Sequence, residues 1–430
     1  MQGHYNYFAV DENNRPVWRL LYWATQQMRS CRSSRHRYSG RMKYAAPAMR
    51  RRCATLGLLV MIAACRSASS TAAPGAQVDE PAMLYDTASE RAGKGDREGA
   101  LAVLERLDAL GWSYCPAGRD MPGLGELPRY RALCTRMKAR APHVLRATVA
   151  LTLADPELAP EGIAYDDEAG AVYVGSTAKR KIVRVGADGA VSDFATRDSG
   201  LYGVLGVRVD VAHRLLWAAS SALPSMAGYE PRDAGHAALF AFDLDTGVLR
   251  ERLPMSDGPS HLLNDVAIAP DGTAYVTDTE AGAVWRHRRD DRGLSAWLPA
   301  GSLRYPNGIA CDGTRVLVAH ASGIAVVSAA TGERADLEVP AGATLGGVDG
   351  LYVDGDTVFA VQNGFGSSRV VRADLDARHG RALRIAVLES AHPALETPTT
   401  AALVHRDRRL LVVVPGDHQP TTILSIPIDP

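Results

Sequence analysis

Short runs of alternating apolar residues fill the chain from about Val144 to its end, and most are stopped by an acidic turn. Asp188-Gly189, Asp271-Gly272, Asp312-Gly313 and Asp354-Gly355 are hairpin signals, because a glycine after aspartate supplies the positive φ of a tight turn. Six copies line up on the apolar run that precedes such a turn. They are Gly162-Ile163-Ala164-Tyr165-Asp166, Gly206-Val207-Arg208-Val209-Asp210, Val266-Ala267-Ile268-Ala269, Gly308-Ile309-Ala310-Cys311-Asp312, Gly350-Leu351-Tyr352-Val353-Asp354 and Ala401-Ala402-Leu403-Val404-His405. Each is followed by a second run and usually a third, as in Lys181–Val185 and Ala283–Arg286. A recurrence at roughly 40 to 60 residues is the spacing of propeller blades. The pattern predicts an all-β six-bladed β-propeller over residues 143–430, with Val144–Leu153 adding a strand to the last blade. A tandem of β-sandwiches would show two unrelated halves, whereas this register persists through all six copies.

Ahead of the strands the period changes. Ala100, Leu101, Leu104, Leu107 and Leu110 follow three- and four-residue spacing, and Ala92-Gly93-Lys94-Gly95-Asp96 breaks the preceding segment, so residues 80–142 are expected to form a small α-helical module. Leu107–Trp112 and Leu127–Leu133 resemble the closing unit of tetratricopeptide-type (TPR) repeats. One such TPR-like unit is short of the roughly three repeats that stand alone. It should therefore pack on its neighbour, either as a spacer or as a surface for a protein partner. Cys115 and Cys134 flank its loop, and a disulfide between them is expected in an oxidising compartment.

The first 80 residues carry neither period. Residues 1–48 show scattered Arg, Tyr and Ser that could not build a core, and read as a spurious upstream extension with Met49 as the start. Residues 49–65 have a cationic head (Met49-Arg50-Arg51-Arg52), an apolar run from Ala54 to Ala64, and then Cys65, the layout of a secretory signal. Ile62-Ala63-Ala64-Cys65 resembles the bacterial lipobox, which implies lipidation at Cys65 and a membrane anchor. The expected location is the bacterial cell envelope, as a periplasm-facing lipoprotein. Soluble secretion, with a cut near Thr71-Ala72-Ala73, is the second choice. Residues 66–79, rich in Ser, Ala and Pro, read as a disordered linker.

Charge sharpens the functional classes. The formal net charge is zero, but residues 1–52 hold 11 Lys/Arg against 2 Asp/Glu, leaving 37 against 46 in the remainder. An acidic globular part argues against nucleic-acid binding. The six cysteines show no CxxC pair, so a thiolate zinc site is not indicated, and Cys311 reads as a buried strand filler.

The position before each aligned run is where chemistry gathers. It reads Glu161, Leu205, Asn264-Asp265, Asn307, Asp349 and Thr400. Inner strands of a propeller line one channel, so these positions converge at one end of the axis. Two carboxylates and two amides, without His or Cys, suit a hard divalent cation such as Ca²⁺, with Zn²⁺ and Mg²⁺ as the other candidates. Taken singly, Asn-Gly and Asp-Gly are also turn formers.

Pro160-Glu161-Gly162, Leu263-Asn264-Asp265, Pro306-Asn307-Gly308 and Asp349-Gly350 together resemble, in order, the ligand motifs of the SMP-30/gluconolactonase/LRE-like family, which includes senescence marker protein 30 and, more distantly, the paraoxonases. The resemblance covers residues 145–430. It implies a six-bladed propeller with one catalytic divalent metal, Glu161, Asn307 and Asp349 as ligands, and Asn264 binding substrate or completing the metal shell. The implied reaction is hydrolysis of a small-molecule lactone or ester by water activated by the metal and Asp349, whose second oxygen would remain free to act as general base. Sugar-lactone members carry Arg where this chain has Leu262, beside His261, a substrate-binding candidate; a more apolar lactone or ester follows. Ser220–His236 reads as an insertion in blade two that walls or lids the channel mouth, and His392 as a loop histidine with at most a proton-shuttling part. No Gly-x-Ser-x-Gly elbow occurs. The alternative is a non-catalytic ligand- or protein-binding propeller with a structural metal. A strictosidine-synthase-like propeller, working by acid/base residues without the metal, is disfavoured by the intact ligand set.

Overall fold

Each repeat belongs to one antiparallel sheet of four strands, laid down in chain order from the channel outward in the first five blades. The computed structural model describes residues 81–116, 120–255, 260–365, 367–416 and 418–429. The signal, Cys65 and linker readings lie outside them. The inner strands are Pro160–Asp166, Gly203–Asp210, Leu263–Ile268, Ile309–Cys311, Val348–Asp354 and Ala401–Val404. Gly189, Gly272, Gly313 and Gly355 take φ of 79°, 82°, 92° and 56°, as their Asp-Gly hairpins require. Apolar side chains of adjacent sheets interlock, as where Tyr173 and Val204 of blades one and two meet Phe240 and Phe242.

The ring is closed by Thr148–Leu153, which pairs antiparallel with Thr421–Pro427 and becomes the outer strand of blade six. This pairing ties the two ends of the ring together through backbone hydrogen bonds within one blade. A single carboxylate reinforces the entry to this strand. Glu389, fully buried, accepts the N–H groups of Arg146 and Ala147 on one oxygen and of Ser390, Ala391 and His392 on the other, at 2.6–2.9 Å. Burial alone would push this carboxyl up. The backbone donors of Arg146, Ala391, Ala147 and His392 outweigh it and hold Glu389 below its ordinary value.

Among the described residues three helices precede the ring: α1 (Pro81–Gly93), α2 (Arg97–Ala109) and α3 (Pro128–Arg140). Asp96 caps α2 by accepting the Gly99 N–H. Leu101, Leu104, Leu107, Leu133 and Met137 face one another in their shared core. Leu110, read from sequence as part of that stripe, stands exposed just past the end of α2. Cys115 and Cys134 are joined by a disulfide. The helices pack on the loops of blades four and five: Phe365 enters their core, Asp86 pairs with Arg304 at 2.6 Å, and Arg369 lies 4.4 Å over the Tyr114 ring. Among the described residues no helix is long and apolar enough to cross a membrane.

Candidate functional site: a ring of bulges at the channel mouth

The residues singled out before each inner strand are placed by a repeated backbone irregularity. In blades one, two, three and five the pairing of inner and second strand slips by one residue across Glu161-Gly162, Leu205-Gly206, Asn264-Asp265 and Asp349-Gly350. Blade four does the same just before its inner strand, where Ala319 bonds both Asn307 and Gly308. In blade six Val413 bonds both Thr399 and Thr400. A β-bulge inserts one unpaired residue and re-aims its side chain. Here it repeats at the same end of all six blades. The register corrects one assignment: Thr399, not Thr400, stands where the other blades have their oxygen ligands, and Thr400 occupies the glycine position.

The glycines are not turn formers at these places. None of Gly162, Gly206, Gly308 or Gly350 has positive φ; each is where the next blade's backbone comes close. A Cβ on Gly162 would lie 2.0 Å from the Leu205 carbonyl oxygen, and one on Gly308 2.3 Å from that of Asp349. Threonines pin the ligand backbones from the adjoining blade. Thr399 and Thr400 donate to the Glu161 carbonyl at 2.8 and 2.7 Å, and Thr277 and Thr279 donate to the Asn307 and Pro306 carbonyls at 2.7 and 2.6 Å.

Three of the four expected ligands communicate directly. Burial raises the Glu161 carboxyl well above its ordinary range, and the nearby Asp349 charge raises it further. Asp349 is pushed up to about 7 by burial, against the opposing effect of amide donors from Asn363 and Asn307, while Asp265 adds repulsion. The Asn307 side-chain amide thus faces the Asp349 carboxylate and favours its charged form. Its carbonyl oxygen, buried, finds no protein partner. Turning the amide over would set oxygen against carboxylate, so the network fixes this orientation. Asn264 gives its nitrogen to Thr279 at 2.9 Å, which ties it to the same corner through the Thr279–Pro306 bond. Asp349 differs from expectation: its Oδ2 is not free but accepts the Asn363 amide at 2.6 Å.

Beneath the ring a guanidinium closes the channel. Arg208 donates to the Val266 and Ile309 carbonyls, lies 3.7 Å from Asp265 and stacks 5.0 Å over the Tyr352 ring. Asp265 in turn accepts the Ile309 N–H from blade four. Three buried or half-buried carboxyls with one guanidinium would leave two negative charges near the axis when all are ionised, which burial opposes unless a cation is bound. Together with the orphaned Asn307 oxygen, this donor set fits a hard divalent cation held by Glu161, Asn307 and Asp349 with Asn264 adjoining. Among the described residues no three His, Cys, Asp or Glu side chains cluster as a metal site, so a cation held here would need amide oxygens in its shell. Below Arg208 a cavity of about 160 Å³ is lined by Tyr165, Cys311 and His405 among others. Cys311 is half-buried there rather than a sealed filler, and burial pushes its thiol up to about 11.

On the rim, the blade-two insertion begins after Ser221, since Ser220 and Ser221 still belong to the second strand, Leu215–Ser221. The remainder bridges two blades: Ala227 N–H bonds Ala178 of blade one, and His261 N–H bonds Gly235 from the entry to blade three. The His261 ring stands edge-on to Trp285, 5.8 Å away, with Nδ1 2.6 Å from Asp278. Asp278 is fully buried, which alone would raise it. His261 and the N–H groups of Leu262 and Ala281 outweigh burial and hold it below the ordinary range. His261 is therefore braced against its blade. Its Nε2 is buried and without a protein partner. Leu262 stands half-buried beside it. His392 spends its Nδ1 accepting the Ala394 N–H, a structural loop contact.

Sequence reasoning passed over Asp265 as a bridge, Arg208, Asn363 and the pinning threonines. Asp265, Arg208 and the threonines act across blades and Asn363 across a strand pair of blade five, and no local pattern marks such contacts.

No family model and no curated relative matches the chain. Among solved structures it is similar to a gluconolactonase from Xanthomonas campestris, at 20% identity over 67% of this chain and 98% of that one, with a TM-score of 0.46. It is also similar to the calcium-binding protein regucalcin from Agrobacterium tumefaciens, at 18% identity over 66% and 97%, with a TM-score of 0.47. A PQQ-bound aldose sugar dehydrogenase from Streptomyces coelicolor gives 16%, 66%, 100% and 0.46. These neighbours carry different named activities, so function has to be argued from the site.

Proposed function

We propose that this chain is a divalent-cation-dependent hydrolase of lactonase or esterase type, with Ca²⁺ the preferred ion. The observation that carries the reading is the buried Asn307 oxygen left without a partner beside two carboxylates that repel one another. Leaving such groups unpaired costs about 1–3 kcal/mol for the amide alone. A bound cation removes that cost and, in chemistry, supplies Lewis-acid polarisation of an ester carbonyl.

The chain's own groups do the rest. Glu161, Asn307 and Asp349 hold the ion, and Asn264 and His261 face substrate. Asp349, oriented by the Asn363 amide on its Oδ2, is the carboxylate placed to serve as general base for water. It works while Asn363 occupies Oδ2. Water adds across the acyl–oxygen bond: its oxygen goes to the carbonyl carbon, and the proton taken up is returned to the departing alkoxide. Leu262 near the mouth favours an apolar lactone or ester over a polyhydroxylated one. The segment of cationic head and apolar run ending at Cys65 supports placement at the cell envelope, and the helical module remains a candidate surface for a protein partner.

The test is a screen of lactones and aryl esters with the full chain, stripped of metal and reconstituted with Ca²⁺, alongside Asp349→Ala. Activity should vanish on stripping, return with Ca²⁺ and fall at least about 100-fold in the variant. Turnover that survives loss of both metal and Asp349 would overturn the mechanism. Tight Ca²⁺ binding with no turnover would turn the reading to a binding propeller with a structural metal.

A further inference from the structure

Asn363 and the helical module meet at one short segment of blade five. Asn363 donates from its single amide nitrogen to Asp349 Oδ2 at 2.6 Å and to the Pro398 carbonyl at 2.8 Å. Both hydrogens of that nitrogen are thereby used on acceptors. A flipped amide would face oxygen with oxygen twice, so Asn363 has one orientation and imposes one on Asp349.

Its neighbours on either side belong to the helices as much as to the propeller. On one side, buried Gln362 donates to the Gly346 carbonyl at 2.7 Å and accepts from Arg369 at 2.6 Å. Arg369 in turn hydrogen-bonds the Tyr114 hydroxyl and stacks on its ring. On the other side, Phe365 is 3% exposed and packs edge-on to Tyr85 at 5.1 Å and Trp112 at 5.3 Å. Asn363 is bracketed by two contacts to residues 81–140.

We propose that Asn363 is a positioning residue for the Asp349 carboxylate, and that the helical module holds it in place, so the helices are part of the cation site's supporting structure. The inference rests on the divalent-cation reading of the ring. A side chain that orients a metal-binding carboxylate is worth about 10–100-fold in metal affinity. The Phe365 contact acts on the same oxygen at one remove and is worth less.

The experiment is calorimetric Ca²⁺ titration of the full-length chain as wild type, Asn363→Ala, Phe365→Leu and the double variant, with thermal unfolding in chelator as the check on folding. Asn363→Ala should weaken Ca²⁺ binding by about 10-fold or more. Phe365→Leu should weaken it by a smaller factor, and the double variant should bind no worse than Asn363→Ala alone, because both changes act through one carboxylate. Binding by Asn363→Ala within about twofold of wild type, or full additivity of the two effects, would overturn the proposal. Should Asn363→Ala fail to fold, Asn363→Ser is read by the same criteria. A wild type that binds no Ca²⁺ overturns the cation reading itself, and this inference with it. Binding in wild type that the variants leave unchanged overturns the inference alone.

Discussion

Asp349→Asn separates charge from shape at the centre of the ring. The amide has nearly the volume of the carboxylate and can keep an oxygen toward Asn363, so the change removes chiefly the negative charge. In the metal-free fold Asp349 is raised to about 7 from an ordinary 3.8. Its folded value therefore lies above its unfolded value. The stability it contributes is complete below about 3.8 and is lost as pH rises through about 7. At about 1.4 kcal/mol per pH unit, that gap sets a ceiling of about 4 kcal/mol at high pH. Glu161 shares the repulsion, so about 2 kcal/mol is the working figure.

In chelator, then, the variant should match wild type near about pH 4 and exceed it near about pH 8, by a few degrees in Tm at about 2–4 °C per kcal/mol. Calcium should reverse the order. Wild type gains about 2.7 kcal/mol at a hundredfold excess over Kd, and the variant gains little. Differential scanning calorimetry at the two pH values, with and without Ca²⁺, reads all four cases. A variant less stable than wild type in chelator at high pH, or equal stabilisation of both by calcium, would refute the argument that the buried Asp349 charge costs stability in the metal-free ring.

Gly308→Ala should cost about 2–3 kcal/mol in urea unfolding, because its Cβ would sit 2.3 Å from the Asp349 carbonyl oxygen, an atom that cannot yield without moving the ring. Glu389→Gln should lose about 2–3 kcal/mol at neutral pH, since its amide end presents hydrogens to backbone donors. Wild-type stability should also fall as pH drops below about 4.5, where Glu389 takes up the proton that its donors resist, and the variant should show a flatter acid limb in the same urea series. Replacing Cys115 and Cys134 by serine opens a link across 19 positions and should cost the helical module roughly 3 kcal/mol, visible as faster limited proteolysis within residues 81–140.

The blades were legible because their signals are local. Alternation reports a half-buried strand, and Asp-Gly marks the hairpin that follows, so six repeats and the closing strand near Val144 could be read from neighbours a few positions apart. The converging oxygens were legible for the same reason, since Glu161, Asn264, Asn307 and Asp349 repeat in one register. Helix period likewise marked residues 81–140, although it could not show that Leu110 falls past the end of α2.

Other features depend on partners far along the chain. The glycines beside the ligands look like turn residues in sequence. They are instead points where an adjoining blade's backbone leaves no room for a Cβ, which only the closed ring reveals. The one-residue shift from Thr400 to Thr399 follows from a bulge, and a bulge is a property of two paired strands. Asn363 carries no mark of its own, because its importance comes from Asp349 across a strand pair and from Phe365 buried among helices some 250 residues earlier. Local period and turn chemistry therefore specify the ring and its oxygens, whereas the orientation of those oxygens is a long-range property, set where blade meets blade and where helix meets blade.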